Sequence, residues 1–242
     1  MSERTRGFGG GSSSTVGAVL WLFCFQYFVG EQIARVGWDR GAAAGVYSMA
    51  RNYISDLGAV RCGAVLHRSG VICSPWHGLM NGSFILQGCL IFAGSLLVRR
   101  LFPRGQLCGV GLWVIAVSGL GVLAVGLAPE DVNLAVHGVG ALVHFLGANV
   151  GMVLVGAGLL TARGSGGWWE GEAVRGLTIF AGVLGLAGTL IFLSGNDAGL
   201  GTGWIERVAA YPLPLWLTGM GALLLARAWP GTGGRTTLHR SE

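Results

Sequence analysis

The chain has 242 residues, 52% of them hydrophobic and only 11% charged, with a mean hydropathy of +0.62. A soluble domain carries about 25% charged residues to cover its surface, so that class is excluded, and recurrent apolar runs long enough to span a bilayer fit an integral membrane protein. The net charge of +5 comes from 16 arginines with no lysine; they sit at the ends of apolar runs and form no basic stripe, which excludes nucleic acid as a partner.

In chain order, Met1 to Ser14 reads as a disordered cytoplasmic tail with a Gly-Gly-Gly-Ser-Ser-Ser run. The first membrane helix is expected from Thr15 to about Ile33, with Gln26 and Glu31 near its outer end. A long outer connection from Trp38 to Ser74 follows, and loops of that length usually carry function. It holds the polar stretch Tyr47-Ser-Met-Ala-Arg-Asn-Tyr-Ile-Ser-Asp-Leu-Gly58. At four-residue spacing Ser48, Asn52 and Asp56 share one face of a short helix, with Ser55 beside them. Cys62 and Cys73 lie in the same connection; in an oxidising compartment they can join as a disulfide, and otherwise they are two free thiols.

The second helix is expected from about Trp76 to Val98, with His77 and Asn81 one turn apart at its start. Arg99, Arg100 and Arg104 after it mark a cytoplasmic connection. Gln106 to Leu127 is the third helix, followed by the outer turn Ala128-Pro-Glu-Asp-Val-Asn133. The fourth helix, about Leu134 to Leu160, carries His137, His144 and Asn149. Trp168 and Trp169 are placed as interface anchors in the next inner connection. The fifth helix covers about Gly176 to Leu193, Asp197 lies in an outer loop, and Trp204 to Pro212 leads into a sixth helix ending near Ala228. Residues 229–242 read as a second disordered cytoplasmic tail.

The expected architecture is therefore all-α: one transmembrane domain over 15–228, about six helices, a long outer loop between the first two, and both termini cytoplasmic. Abundant Gly, Ala, Val and Arg without Lys is the composition of a GC-rich bacterial genome, which points to a bacterial inner membrane. No inverted repeat and no pair of Gly- or Pro-broken helices stands out, which counts against a transporter.

Glu31, Asp39, Asp56, Glu130, Asp131, Asp197 and Glu206 all fall on the expected outer side, so separate segments deliver acids to one end of the bundle. Ionisable groups near membrane depth are costly and face a cavity or a partner. Asp56 is the leading candidate for a general acid raised in pKa by burial; the plainer reading is an exposed acid or one paired with Arg51 or Arg61. Glu130 and Asp131 are acid candidates against a turn with the N-cap of the fourth helix. Glu206 is an acid or base candidate against an ion pair with Arg207. His137 is a candidate base, and His77, His137 and His144 all have structural roles as the plainer alternative. No Cys-x-x-Cys, His-Glu-x-x-His, phosphate-cradling glycine loop or Gly-x-Ser-x-Gly elbow occurs.

Asn52-Tyr-Ile-Ser-Asp-Leu-Gly58, Asn81 with Phe84, Pro129-Glu-Asp131 with His137, and Glu206-Arg207 before Tyr211-Pro212 and Trp216 together resemble a large family of small prokaryotic membrane proteins known only as a domain of unknown function. The resemblance covers about Tyr47 to Trp216 and carries a fold expectation without an activity. In size and architecture the chain is also similar to bacterial membrane-bound terpene cyclases of indole-alkaloid pathways. That resemblance implies cyclisation of a prenylated lipophilic substrate, started by a protonated carboxylic acid in an aromatic pocket, with no metal or other cofactor and no obligate protein partner. Asp56, Glu206, Glu130, Asp131 and His137 are then the catalytic candidates. Asn52, Tyr53, Ser55, His77, Asn81, Phe84, His144, Phe145, Asn149, Asp197, Trp204, Tyr211 and Trp216 are the substrate-binding candidates, although the aromatic residues also fit an ordinary interface belt. A zinc-dependent lipid hydrolase similar to the alkaline ceramidase and adiponectin-receptor superfamily is the alternative, using His77, His137, His144, Ser55 and Asp56 at a spacing that departs from that pattern. A non-enzymatic transporter or binding protein is the third.

Overall fold

A computed structural model describes residues 12–41, 45–64, 71–162 and 171–228. Among the described residues six helical segments are long and apolar enough to cross a membrane: 12–38, 77–101, 106–127, 134–161, 172–193 and 202–228. The protein is a polytopic helical membrane bundle. Residues 1–11 and 229–242, Trp168, Trp169 and the side chain of Asp39 lie outside the described residues, whereas Ser12 to Ser14, expected at the end of the first tail, begin the first helix.

Four spans are continuous: α3 (His77–Val98), α4 (Gln106–Leu127), α5 (Leu134–Thr161) and α6 (Glu172–Leu193). With no water in the bilayer core, an unbroken helix satisfies every backbone group internally, which is why these apolar runs translate directly into helices. Asn133 caps α5, its side chain accepting the Val136 amide at 3.1 Å; the cap is neither Glu130 nor Asp131.

The first and sixth spans are interrupted, the sixth at a proline and the first with no breaker residue. The first is α1 (Ser12–Phe23) and α2 (Gln26–Gly41). Between them the amides of Cys24, Phe25, Tyr27 and Phe28 reach back only three residues, a tightened turn made without proline or glycine. The sixth is α7 (Thr202–Ala210) and α8 (Pro212–Ala228). Pro212 lacks an amide hydrogen and so ends α7, while its fixed φ suits the first position of α8. The two interruptions touch: the Tyr211 ring lies edge-on to Phe28 at 5.0 Å and to Tyr27 at 6.3 Å.

Consecutive helices α3 to α6 pack side by side, and α1 closes the bundle against α3 and α8. Close approach needs small residues. A Cβ on Gly88 would sit 2.6 Å from Leu123 Cβ on α4, and one on Gly121 would sit 2.6 Å from the Gly140 carbonyl on α5.

The long connection differs from the expected short helix. Residues 45–61 are irregular apart from a 3-10 turn at Ser55–Gly58. Asn52 and Asp56 bond the local backbone with their side chains, which competes with helix formation. Beyond them β1 (Gly63–Ala64) and β2 (Val71–Ile72) pair antiparallel, and Cys62 and Cys73 are joined as a disulfide beside that ladder.

Candidate functional site

Backbone N–H and C=O groups buried without regular structure need partners from elsewhere. The 47–61 loop obtains them from charged and polar side chains on four other segments. At successive residues, the Tyr53 amide donates to Asp56 Oδ2 at 2.8 Å, the Ile54 amide donates to Glu206 Oε2, and the Ser55 hydroxyl donates to Glu130 Oε2 at 3.0 Å. The Val60 and Arg61 amides then donate to the two oxygens of Asp131 at 3.1 and 2.6 Å. Asn52 completes the local turn, its Nδ2 donating to Asp56 Oδ2 at 3.2 Å and its Oδ1 accepting the Ser48 amide at 3.0 Å. Asp56, Glu130 and Glu206 are buried. A carboxylate accepting an N–H makes a strong, charge-assisted bond, so the acids act here as acceptors that fix the loop.

The loop carbonyls are met by cations and donors. Arg207 Nη1 donates to Met49 O and Asn52 O, both at 3.0 Å, and to Gly203 O at 2.9 Å. Ser74 Oγ donates to Leu57 O at 2.6 Å, and Asn81 Nδ2 to Gly58 O at 2.8 Å. Asn81 Oδ1 lies where a Cβ on Gly58 would be, so the glycine ending the Asn-Tyr-Ile-Ser-Asp-Leu-Gly motif leaves room for the side chain that holds it. Gly201, at φ +93°, turns α7 so that the Gly203 amide reaches Ala50 O at 2.9 Å.

Arg207 is the hub. It is 1% exposed, and its Nη2 donates to Glu31 Oε1 at 2.7 Å and to the Tyr47 hydroxyl at 2.6 Å. Tyr211 donates to Glu31 Oε2 at 2.6 Å, so that carboxylate is engaged through both oxygens. Arg207 thus pairs with Glu31, not with its neighbour Glu206, because adjacent residues on a helix do not face each other. Burial raises Tyr47 above the ordinary tyrosine range against the opposing pull of Arg207. It therefore stays protonated and donates to Tyr53 O at 2.8 Å.

The remaining candidates divide. Phe84 packs on Tyr27 at 6.0 Å below Gly58, and Tyr53, Phe192 and Phe145 form an aromatic row at 5.4 and 5.8 Å. Asn149 is a buried bolt, donating to Phe145 O, Ala209 O and Thr189 Oγ1. Asp197 stands apart in an exposed turn, accepting the Gly199 amide at 2.9 Å, because a short polar loop satisfies it locally. Trp216 also stands apart from the acids: it packs on Trp21 at 5.4 Å, which packs on Phe102 beyond Arg99–Leu101, since α8 has already descended a turn past Pro212. Trp204 is 41% exposed on α7.

His77, His137 and His144 each place Nδ1 near a different backbone carbonyl, of Ser74, Ala128 and Ser118, at 2.9, 3.0 and 3.1 Å. No group of three His, Cys, Asp or Glu side chains able to hold a metal occurs among the described residues, so the hydrolase alternative has no ligand set there. Sequence reasoning left Glu31, Tyr47, Ser74 and the hub itself, Arg207, out of the site. For Glu31 the signal was present, a lone carboxylate inside an apolar span.

The chain belongs to the family described as "Protein of unknown function (DUF998)", whose sequence profile matches residues 16–223. No curated protein and no solved structure matches it, so the resemblance to terpene cyclases has no counterpart in these comparisons.

Proposed function

We propose that this member of the family binds a long-chain lipophilic molecule, drawn from the bilayer, in a lateral groove between α6 and the α7–α8 pair. The lining of that groove carries the reading. Leu177, Phe180, Leu184, Leu215 and Leu223 give it an apolar wall over a volume of about 640 Å³, and Trp204, Arg207 and Tyr211 lie at the α7 end. Small-molecule sites commonly enclose roughly 300–1,000 Å³. Among the described residues no carboxylate lines the groove, and the charged residue that does, Arg207, is engaged by Glu31, Tyr47 and loop carbonyls. The groove therefore selects for hydrocarbon.

Proton-initiated cyclisation of a prenylated substrate is the second reading. The rings of Phe180, Trp204, Tyr211 and Trp216 along the groove favour it, because aromatic faces stabilise carbocations. It also requires an acid at the groove; its candidate, Glu206, lies between the lining residues Trp204 and Arg207 on α7 but accepts the Ile54 amide on the loop side, which ranks this reading second. We assign the acidic end to the outside of a bacterial inner membrane, since the Cys62–Cys73 disulfide needs an oxidising compartment and Arg99, Arg100 and Arg104 a cytoplasmic one.

The test is to incubate purified protein with farnesylated and geranylgeranylated acceptors, then analyse the complex by native mass spectrometry and the extract by chromatography. Binding predicts retention of unchanged acceptor; cyclisation predicts a product of equal mass and shifted retention. Gly219→Trp fills the groove from a position where an added Cβ meets nothing within 4 Å. It is expected to abolish retention, and undiminished retention in that variant would sink the proposal.

A further inference from the structure

At the opposite end of the bundle the chain builds a second, polar cleft. Arg99 and Arg100 close α3 in the 3-10 turn Arg99–Leu101, and Phe102 is buried after it. Phe102, Pro103, Arg104 and Gly105 then turn the chain into α4. Arg99, Arg100 and Arg104 line one cleft of about 840 Å³ together with Leu96 and Leu112, and among the described residues no acid lines it. Among the described residues no acid pairs with any of the three arginines. Arg99 is oriented by Trp113, its guanidinium carbon 4.8 Å from the ring centroid. Gly105, which lines the cleft, is the N-cap of α4, and no side chain caps that helix. Its first-turn N–H groups and the positive end of a 22-residue helix therefore lie at the same opening.

Topology alone asks only for positive charge near this end of the spans, in any arrangement. Three guanidinium groups gathered around a concave opening, over an uncapped helix start, ask for an anion. We propose that this cleft binds a phosphate group: Arg100 and Arg104 grip its oxygens, Arg99 is held behind them on Trp113, and the α4 amides meet it from below. Two sources share that chemistry. One is the headgroup of an anionic phospholipid, whose chain follows Leu96 and Leu112; the other is free or soluble phosphate. Basic pockets between transmembrane helices on the cytoplasmic side suit anionic headgroups. The inference is independent of the lateral groove.

The experiment titrates the purified full-length protein in detergent with phosphatidylglycerol, phosphatidylcholine and inorganic phosphate, read by native mass spectrometry. Wild type is compared with a double variant, Arg100→Gln with Arg104→Gln, which keeps Arg99. Wild type is expected to hold phosphatidylglycerol under activation that strips phosphatidylcholine, with affinity falling about tenfold or more in the variant. Displacement by millimolar inorganic phosphate identifies free phosphate as a ligand; no displacement identifies the lipid headgroup. Equal retention of the two lipids together with no phosphate adduct, or unchanged affinity in the double variant, overturns the proposal. An intact Cys62–Cys73 disulfide by mass is the folding control. If the glutamine variant fails it, Arg100→Lys with Arg104→Lys keeps the charge but not the forked donors, and a several-fold loss is expected there. Unchanged affinity in that pair overturns the proposal equally.

Discussion

At the acidic end Glu31, Asp56, Glu130, Asp131 and Glu206 all hydrogen-bond the 47–61 loop or the arginine that holds it, whereas at the other end Arg100 and Arg104 are exposed beside an open cleft. The difference follows from depth. Glu31 and Arg207 lie within spans and are almost fully buried, where an unpaired charge is prohibitive. Arg100 and Arg104 are exposed after α3, where water can solvate them, and no acid pairs with them among the described residues. Charge at the acidic end therefore determines a fold, and charge at the arginine end remains available to a ligand.

Breaking the hub tests this contrast most severely. Arg207→Met leaves the Glu31 carboxylate buried and removes the donors to Met49 O and Asn52 O; it is expected to cost about 3–5 kcal/mol in thermal unfolding in detergent. A wild-type melting temperature would mean that the network is dispensable. Removing the disulfide by Cys62→Ser with Cys73→Ser should cost about 2–3 kcal/mol, accompanied by faster hydrogen exchange over residues 47–61. Unaltered exchange would detach the disulfide from the loop.

Asp56→Asn sharpens the comparison by separating charge from shape. An amide oxygen can still accept the Tyr53 N–H, so the expected loss is about 1–2 kcal/mol, with lipophile retention in the groove unchanged. A variant of normal stability that binds acceptor but no longer turns it over would instead make Asp56 catalytic. Arg100→Gln is the smallest effect, within about 0.5 kcal/mol of wild type in lipid-free detergent. A larger loss there would mean that the arginine end is also part of the fold.

Individual residues show how far the sequence could be read. The spacing of Asn52 and Asp56 anticipated their contact, yet the backbone beneath them is a loop, because the side chains that make the contact bond the local amides themselves. The acids of the 129–131 turn were legible as a group, but their assignment to Ser55, Val60 and Arg61 was not. Glu31 and Arg207 are 176 residues apart, and no local pattern couples them. The interruption at Cys24-Phe25 carries no breaker residue, whereas the one at Pro212 does.

By itself the amino-acid sequence determined six spans, their approximate ends and the gathering of acids at one end and arginines at the other. A bilayer admits only helices with internally satisfied backbones, and apolar length and flanking charge are local properties. Tertiary structure alone decided which acid holds which amide, that Arg207 pairs across the chain with Glu31, and that α6 and α8 part to leave a groove. Those outcomes depend on which helices become neighbours, and residues far apart in sequence acquire a partner only once the bundle has closed.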